Sequence, residues 1–249
     1  MSSWIQPIEQ ALPVALIPSE PAEIAPNPAR VLPLYYQTLA DAMGPMHWWP
    51  ARTPFEVIVG AILTQNTNWR SVERAIENLR RRRMLDWKAL RDVPIKRLAA
   101  LIRPAGYFNV KARRLRHFCE WLLARGGVSA LTAMDTHALR HDLLAVHGVG
   151  PETADDILLY ALHRPVFVID AYTRRLFSRL GLIKGDESYE VLRAGMEAAL
   201  DPDVPLYNEY HALIVRHAKE VCQTRPRCEA CCLRRPCPSR QKQGRSVKN

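Results

Sequence analysis

Val146-His147-Gly148-Val149-Gly150-Pro151-Glu152-Thr153-Ala154 joins two stretches of helical periodicity. Gly148 and Gly150, separated by one residue, permit a tight turn with positive φ and the close approach of a second backbone. The amides of such a turn and of the following helix start point outward, an anion site suited to a nucleic-acid phosphate. A bare Gly-x-Gly between helices is also an ordinary C-cap and turn, so the segment takes its meaning from what surrounds it.

Helical periodicity dominates on both sides. Phe55, Ile58, Val59 and Ile62 form an i, i+3, i+4, i+7 stripe, and Pro54 after Thr53 reads as a first-turn proline behind its N-cap. Further helices are predicted over 70–84, 94–102, 110–125, 137–147, 151–163, 171–180, 187–200 and 206–221. Val166-Phe167-Val168-Ile169 fits either a short strand or a buried connector. The predicted fold class is therefore all-α. Residues 1–29 hold Pro7, Pro13, Pro18, Pro21, Pro26 and Pro28 and read as a flexible tail, while 240–249 reads as a basic, disordered end.

Composition excludes some classes and favours others. With 48% hydrophobic and 24% charged residues, the 249-residue chain is neither fibrous nor low-complexity and is long enough to bury a core. Its 35 Lys and Arg outnumber 25 Asp and Glu by a formal +10, which favours a polyanionic partner through counterion release. The first ten residues lack a basic start, and no apolar run approaches the roughly 20 residues that span a bilayer. The expectation is a cytoplasmic, nucleoid-associated protein without membrane contact, in which six cysteines serve as metal ligands or core residues rather than disulfides.

Cys222, Cys228, Cys231 and Cys237 lie five, two and five residues apart in a loop with little apolar content. Four thiolates in so short a loop suit a soft metal centre, either tetrathiolate zinc or an iron-sulfur cluster. Cys232 beside Cys231 leaves one ambiguity in the ligand register, and Cys119 on an amphipathic helix reads as core. Asp170 follows the apolar run and precedes a helix start, where the helix dipole and free amides keep a carboxylate ionised. An aspartate there is equally a plain N-cap.

Taken in order, these features resemble the endonuclease III branch of the helix-hairpin-helix DNA glycosylases over 53–237. The resemblance rests on Ala61-Ile62-Leu63-Thr64-Gln65-Asn66-Thr67, on Gly106-Tyr107-Phe108-Asn109-Val110-Lys111-Ala112, on Gly148-Val149-Gly150, on Asp170 and on the cysteine loop. It implies two helical domains, 54–165 with the hairpin and 30–53 plus 166–239 with the cysteine loop, and duplex DNA carrying a damaged base held between them. It implies a 4Fe-4S cluster on Cys222, Cys228, Cys231 and Cys237, although the family's usual first gap is six residues and here it is five. Asp170 matches the essential carboxylate, which stabilises charge developing on the sugar as the base leaves. Gln65 matches the residue that fills the space of the extruded nucleotide. Lys111, Gly148, Val149, Gly150 and Thr153 complete the implied DNA contacts, and the molecule is expected to be a monomer.

The pattern breaks at Glu152, where bifunctional members carry the Schiff-base lysine; a carboxylate cannot make that adduct. The expectation is a monofunctional glycosylase with weak or absent lyase activity. Gln65-Asn66-Thr67-Asn68-Trp69 is closer to the branch that acts on alkylated purines. Two other readings compete: a scaffold that binds damaged DNA without catalysis, because a second carboxylate beside Asp170 blunts the site, and a zinc-loop adaptor. Arg80 to Arg83 circle a helix and read as a solvated helix end. Arg113 and Arg114, near Lys111, are placed for phosphate contact, and Trp48 and Trp49 read as interdomain core.

Overall fold

The computed structural model describes residues 27–46, 48, 49 and 51–240. The tail expected over 1–29 therefore lies outside the described residues except for its last three, and the basic end over 240–249 except for Arg240. Among the described residues twelve α-helices and no strands occur. They are α1 (Pro28–Met43), α2 (Pro54–Thr64), α3 (Trp69–Arg81), α4 (Trp87–Asp92), α5 (Ile95–Leu101), α6 (Phe108–Ala124), α7 (Val128–Leu131), α8 (Thr136–Leu144), α9 (Pro151–Asp156), α10 (Ala171–Arg179), α11 (Tyr189–Ala199) and α12 (Val204–Glu220).

Side-chain caps set most of the starts. Thr53 accepts from Glu56 N at 3.2 Å ahead of Pro54, as its sequence predicts, and Asn68, Asp86, Asp135, Ser188 and Asp203 cap α3, α4, α8, α11 and α12 in the same way. The first helix begins at Pro28 behind an Asn27 cap, inside the proline-rich stretch 1–29 that reads as a tail, because a proline is tolerated in the first turn of a helix. Short α4 and α7 escape a periodicity search because six and four residues give too little pattern to read.

Helix α2 is buried from Phe55 to Leu63, all round rather than on one stripe, so it is the central helix that others pack around. It touches α3, α6, α9 and the segment after α9, whereas α1 packs on α11 and α12, and α12 on α10. Tyr207 and Tyr210 of α12 are fully buried with their hydroxyls donating to Leu200 O at 3.4 Å and Leu32 O at 3.1 Å, so neither phenol is left unpaired. Val166, Phe167, Val168 and Ile169 form the buried connector into α10.

The predicted helix over 151–163 changes register part-way. After α9 the chain winds as a π-helical turn, Ile157–Ala161, with Leu162 N donating five residues back to Ile157 O at 3.1 Å. A part-buried ion pair joins the hairpin helices, Arg140 of α8 forking onto Asp155 of α9 at 2.6 and 3.0 Å, and the same arginine reaches Glu190 of α11 at 2.8 Å nearer the surface. Arg193 stands 3.9 Å from the same fully buried aspartate. No helix among the described residues is long and apolar enough to cross a membrane.

Candidate active site

The turn between α8 and α9 adopts the conformation its glycines permit. Gly148 has φ of +91°, and a Cβ there would run into the aliphatic part of Arg114. Helix α2 ends at Gln65, 83 residues away, whose Nε2 donates to Gly148 O at 3.0 Å and to Thr153 Oγ1 at 2.9 Å. Arg114 holds the Gln65 Oε1 from the other side. The residues expected at the DNA face are thus brought together, but as a hydrogen-bonded unit.

Three of them are not offered to solvent. Lys111, expected on a phosphate, is 1% exposed, and its Nζ donates to Leu63 O at 2.9 Å and Ala105 O at 2.8 Å. Burial, with Arg114 adding, lowers its ammonium to about 8. It stitches the end of α2 to the start of α6 because two orphan carbonyls there need a donor. Thr153 lies buried beneath Gln65, and Val149 is buried with its amide donating to Val146 O at 3.0 Å. Exposed at this end are His147, Gly150 and, on α6, Arg113; Glu152 is exposed as a residue, while its carboxyl is partly desolvated and feels the Asp170 charge. Arg80 is engaged as well, bridging the buried Glu56 and Glu77 rather than capping a solvated helix end.

Asp170 caps α10, its Oδ1 accepting from Thr173 N at 2.7 Å, while its Oδ2 lies 3.6 Å from His211 Nε2 on α12. Burial would raise its carboxyl, but His211 and the Thr173 amide prevail and hold it below the usual carboxylate range. Glu152 and Asp156, one turn apart on α9, behave oppositely. Desolvation raises both, and the Asp170 charge raises them further, with Arg174 and His211 opposing in the case of Glu152. One carboxylate in the group therefore keeps its charge while its acidic neighbours hold protons more readily.

A chain of aromatic side chains leads away from this group through Tyr160, which bonds His211. Trp49 packs edge-on against Trp69 with centroids 4.9 Å apart and tilted against Tyr160 at 5.0 Å, and Trp48 meets Trp49 at 6.0 Å. Both indole N–H groups are buried without a protein partner. Gly60 makes room for the Trp49 ring, which lies 3.1 Å from where a Cβ would stand. Trp49 therefore packs against Tyr160, the residue that bonds His211 beside Asp170, and Trp48 packs behind it. Tyr160, His211 and Asp156 escape sequence reasoning because each sits on an apolar helical face. The available signal is a histidine among the buried Tyr207, Tyr210 and Ile214, a polar group with no local reason to be there.

At the C-terminal end Cys222, Cys228, Cys231 and Cys237 line one pocket with Leu176, Arg179 and Leu233, and Cys232 does not line it. Arg179 donates to Cys222 Sγ at 3.2 Å, Cys237 Sγ lies 3.4 Å from Arg179 O, and His217 Nε2 lies 3.4 Å from Cys231 Sγ. Among the described residues no three His, Cys, Asp or Glu side chains are close enough to hold a single ion. Cys119 is core as expected, fully buried, with its thiol pushed up to about 12 by burial, Asp86 adding.

Comparison with known proteins supplies the context for this geometry. Residues 59–202 match the family model described as HhH-GPD superfamily base excision DNA repair protein. A Methanocaldococcus jannaschii protein that bears the name of a DNA repair glycosylase is 47% identical over 208 residues, 82% of this chain and 94% of its own. The H. pylori 3-methyladenine DNA glycosylase, solved with 1,N6-ethenoadenine bound, is 28% identical with a TM-score of 0.67, covering 78% of this chain and 98% of that one. An endonuclease III bound non-covalently to DNA has a TM-score of 0.76 at 20% identity, over 87% of this chain and 98% of that one, a likeness of fold.

Proposed function

The chain belongs to the HhH-GPD superfamily of base excision DNA repair proteins, and from that premise we propose that it is a monofunctional DNA glycosylase that takes alkylated purines from duplex DNA. The observation that carries the monofunctional reading is Glu152. It stands on the first turn of α9, where the bifunctional branch has its lysine, and it shares the electrostatic environment of Asp170. A carboxylate offers no amine to form a Schiff base, so base release ends at an abasic site.

In this reading the sugar of the extruded nucleotide lies against Asp170. Its charge offsets the positive charge that develops as the base departs and orients the attacking water. A Glu152 carboxyl that holds its proton more readily than a free one lessens the repulsion that the non-catalytic reading rests on. The aromatic group of Trp48, Trp49, Trp69 and Tyr160 supports the choice of substrate class, since electron-rich ring faces favour a base that carries positive charge. The likeness to a 3-methyladenine glycosylase supports the same choice. Gly148, Gly150 and Arg113 are the phosphate contacts in this reading, and Gln65 fills the vacated stack once it leaves its bonds to Gly148 and Thr153.

Cys222, Cys228, Cys231 and Cys237 fit a 4Fe-4S cluster in this reading: the four side chains line one pocket, and four thiolates are the ligand set such a cluster takes. When bound, such a cluster staples a loop that has little apolar content of its own. Arg179 and His217 then donate to or pack against its thiolates.

Duplexes carrying alkylated, oxidised, deaminated or abasic sites, scored separately for base release and strand nicking, test this function. Release of an alkylated purine without nicking is the expected result. Release of another base class overturns the substrate, nicking overturns monofunctionality, and tight binding without any release favours the non-catalytic reading.

A further inference from the structure

His211 is a buried histidine that the proposed chemistry does not yet use. It is 5% exposed in the middle of α12, and its Nε2 is buried with no hydrogen-bond partner, pointing at Asp170 Oδ2 from 3.6 Å. A buried polar nitrogen left without a partner is costly, and a folded chain retains one where it serves a purpose. The other ring nitrogen, Nδ1, is bonded to the Tyr160 hydroxyl. Tyr160 belongs to the π-helical turn after α9, and such one-turn register changes re-aim side chains and concentrate at functional sites.

We propose that His211 is a positioning residue for Asp170, clamped by Tyr160 so that its Nε2–H faces Oδ2 and fixes the carboxylate plane. The inference rests on the reading of Asp170 as the group that meets the sugar. With Oδ1 held by the Thr173 amide and Oδ2 by His211, the carboxylate has its outward lone pairs as the ones available to the reacting sugar and water. The proton inventory agrees. Burial and the charges of Asp156 and Asp170 raise the Tyr160 phenol well above its ordinary value, so it keeps its hydrogen and can donate to Nδ1. A neutral His211 accepting there carries its hydrogen on Nε2, and a doubly protonated one carries it there too. The 3.6 Å gap closes as substrate draws the site together, as apo catalytic hydrogen bonds commonly do.

The test uses the full-length protein and the lesion duplex that the wild type acts on, with His211→Phe, His211→Gln, Tyr160→Phe and Asp170→Asn in parallel. His211→Phe, which keeps volume but removes the donor, is expected to slow single-turnover base release by between about 10-fold and 100-fold. Its affinity for a duplex bearing an uncleavable abasic analogue should change less than about 2-fold, because the residue is buried away from the surface. His211→Gln, with an amide N–H near the Nε2 position, should recover most of the lost rate, and Tyr160→Phe should fall between. The 15N spectrum of the wild type should show hydrogen on Nε2, a result that needs no substrate.

An Nε2 without hydrogen, or a His211→Phe enzyme as fast as wild type beside an inactive Asp170→Asn, overturns the role of His211 and leaves that of Asp170 intact. Unimpaired Asp170→Asn overturns the reading of Asp170 on which this one rests. If both His211 variants lose melting temperature and rate alike, His211 is structural and the proposal fails.

Discussion

Gln65 and Gly148 are joined across 83 residues of sequence by the 3.0 Å hydrogen bond from Gln65 Nε2 to the Gly148 carbonyl oxygen. The same amide nitrogen serves Thr153 Oγ1, so the end of α2 and the hairpin turn form one unit. Replacing Gln65 by Ala leaves both acceptors and Arg114 without a partner, at a cost of about 1–3 kcal/mol. Gly148→Ala should cost a similar amount, about 1–2 kcal/mol for the left-handed backbone alone, with displacement of Arg114 added. Urea unfolding of both variants checks this, and DNA affinity should fall with Gly148→Ala because the turn no longer closes.

The Arg140–Asp155 pair joins α8 to α9 with the aspartate fully buried, and Arg140 reaches on to Glu190 of α11. Removing Arg140 takes both close ion-pair bonds from the buried Asp155, so Arg140→Ala should lose about 3–5 kcal/mol, whereas Asp155→Ala leaves Arg140 paired with Glu190 and should lose less. Replacing both residues together by apolar side chains should cost much less than the sum of the single changes, which a double-mutant cycle in urea would reveal.

Stability should depend on pH through Glu152. Its carboxyl titrates higher in the folded chain than in the unfolded one, because desolvation and the Asp170 charge raise it. A raised acid contributes stability that is full below the ordinary carboxylate range and is lost as pH rises through the folded value. Glu152→Gln stays neutral throughout. Its advantage over wild type in urea midpoint should therefore be absent at about pH 4 and present at about pH 7. Equal midpoints at both pH values would contradict this.

For the cysteine loop, the purified protein should be brown, with visible absorption that Cys232→Ser keeps and Cys231→Ser loses, since Cys231 lines the shared pocket and Cys232 does not. A colourless protein carrying one zinc would contradict the cluster. Chelation that strips the metal should lower the melting temperature, because the loop has little core of its own.

The fold was legible where local chemistry decides structure. Thr53 and Pro54 start α2, Asp170 starts α10, and the apolar stripe of α2 marks a buried helix, each recognisable from residues within one turn. Legibility failed where a side chain's role depends on a partner far along the chain. Lys111 reads as one more basic residue, and only folding brings Leu63 O and Ala105 O to its ammonium. Thr153 reads as part of a phosphate-binding turn until Gln65 covers it. Tyr160 and His211, 51 residues apart, meet because the chain shifts to a π turn at Ile157, a register change that helical periodicity does not encode.

The central claim is that Asp170 carries base release and that no amine at position 152 converts it to strand cleavage. The most direct measurement is single-turnover base release from the preferred lesion duplex by wild type and Asp170→Asn, with borohydride added in a parallel series. The account predicts release that Asp170→Asn slows by about 100-fold or more, with no covalent protein–DNA complex trapped from either protein. Efficient trapping of the wild type, or an Asp170→Asn enzyme of undiminished rate, would contradict it.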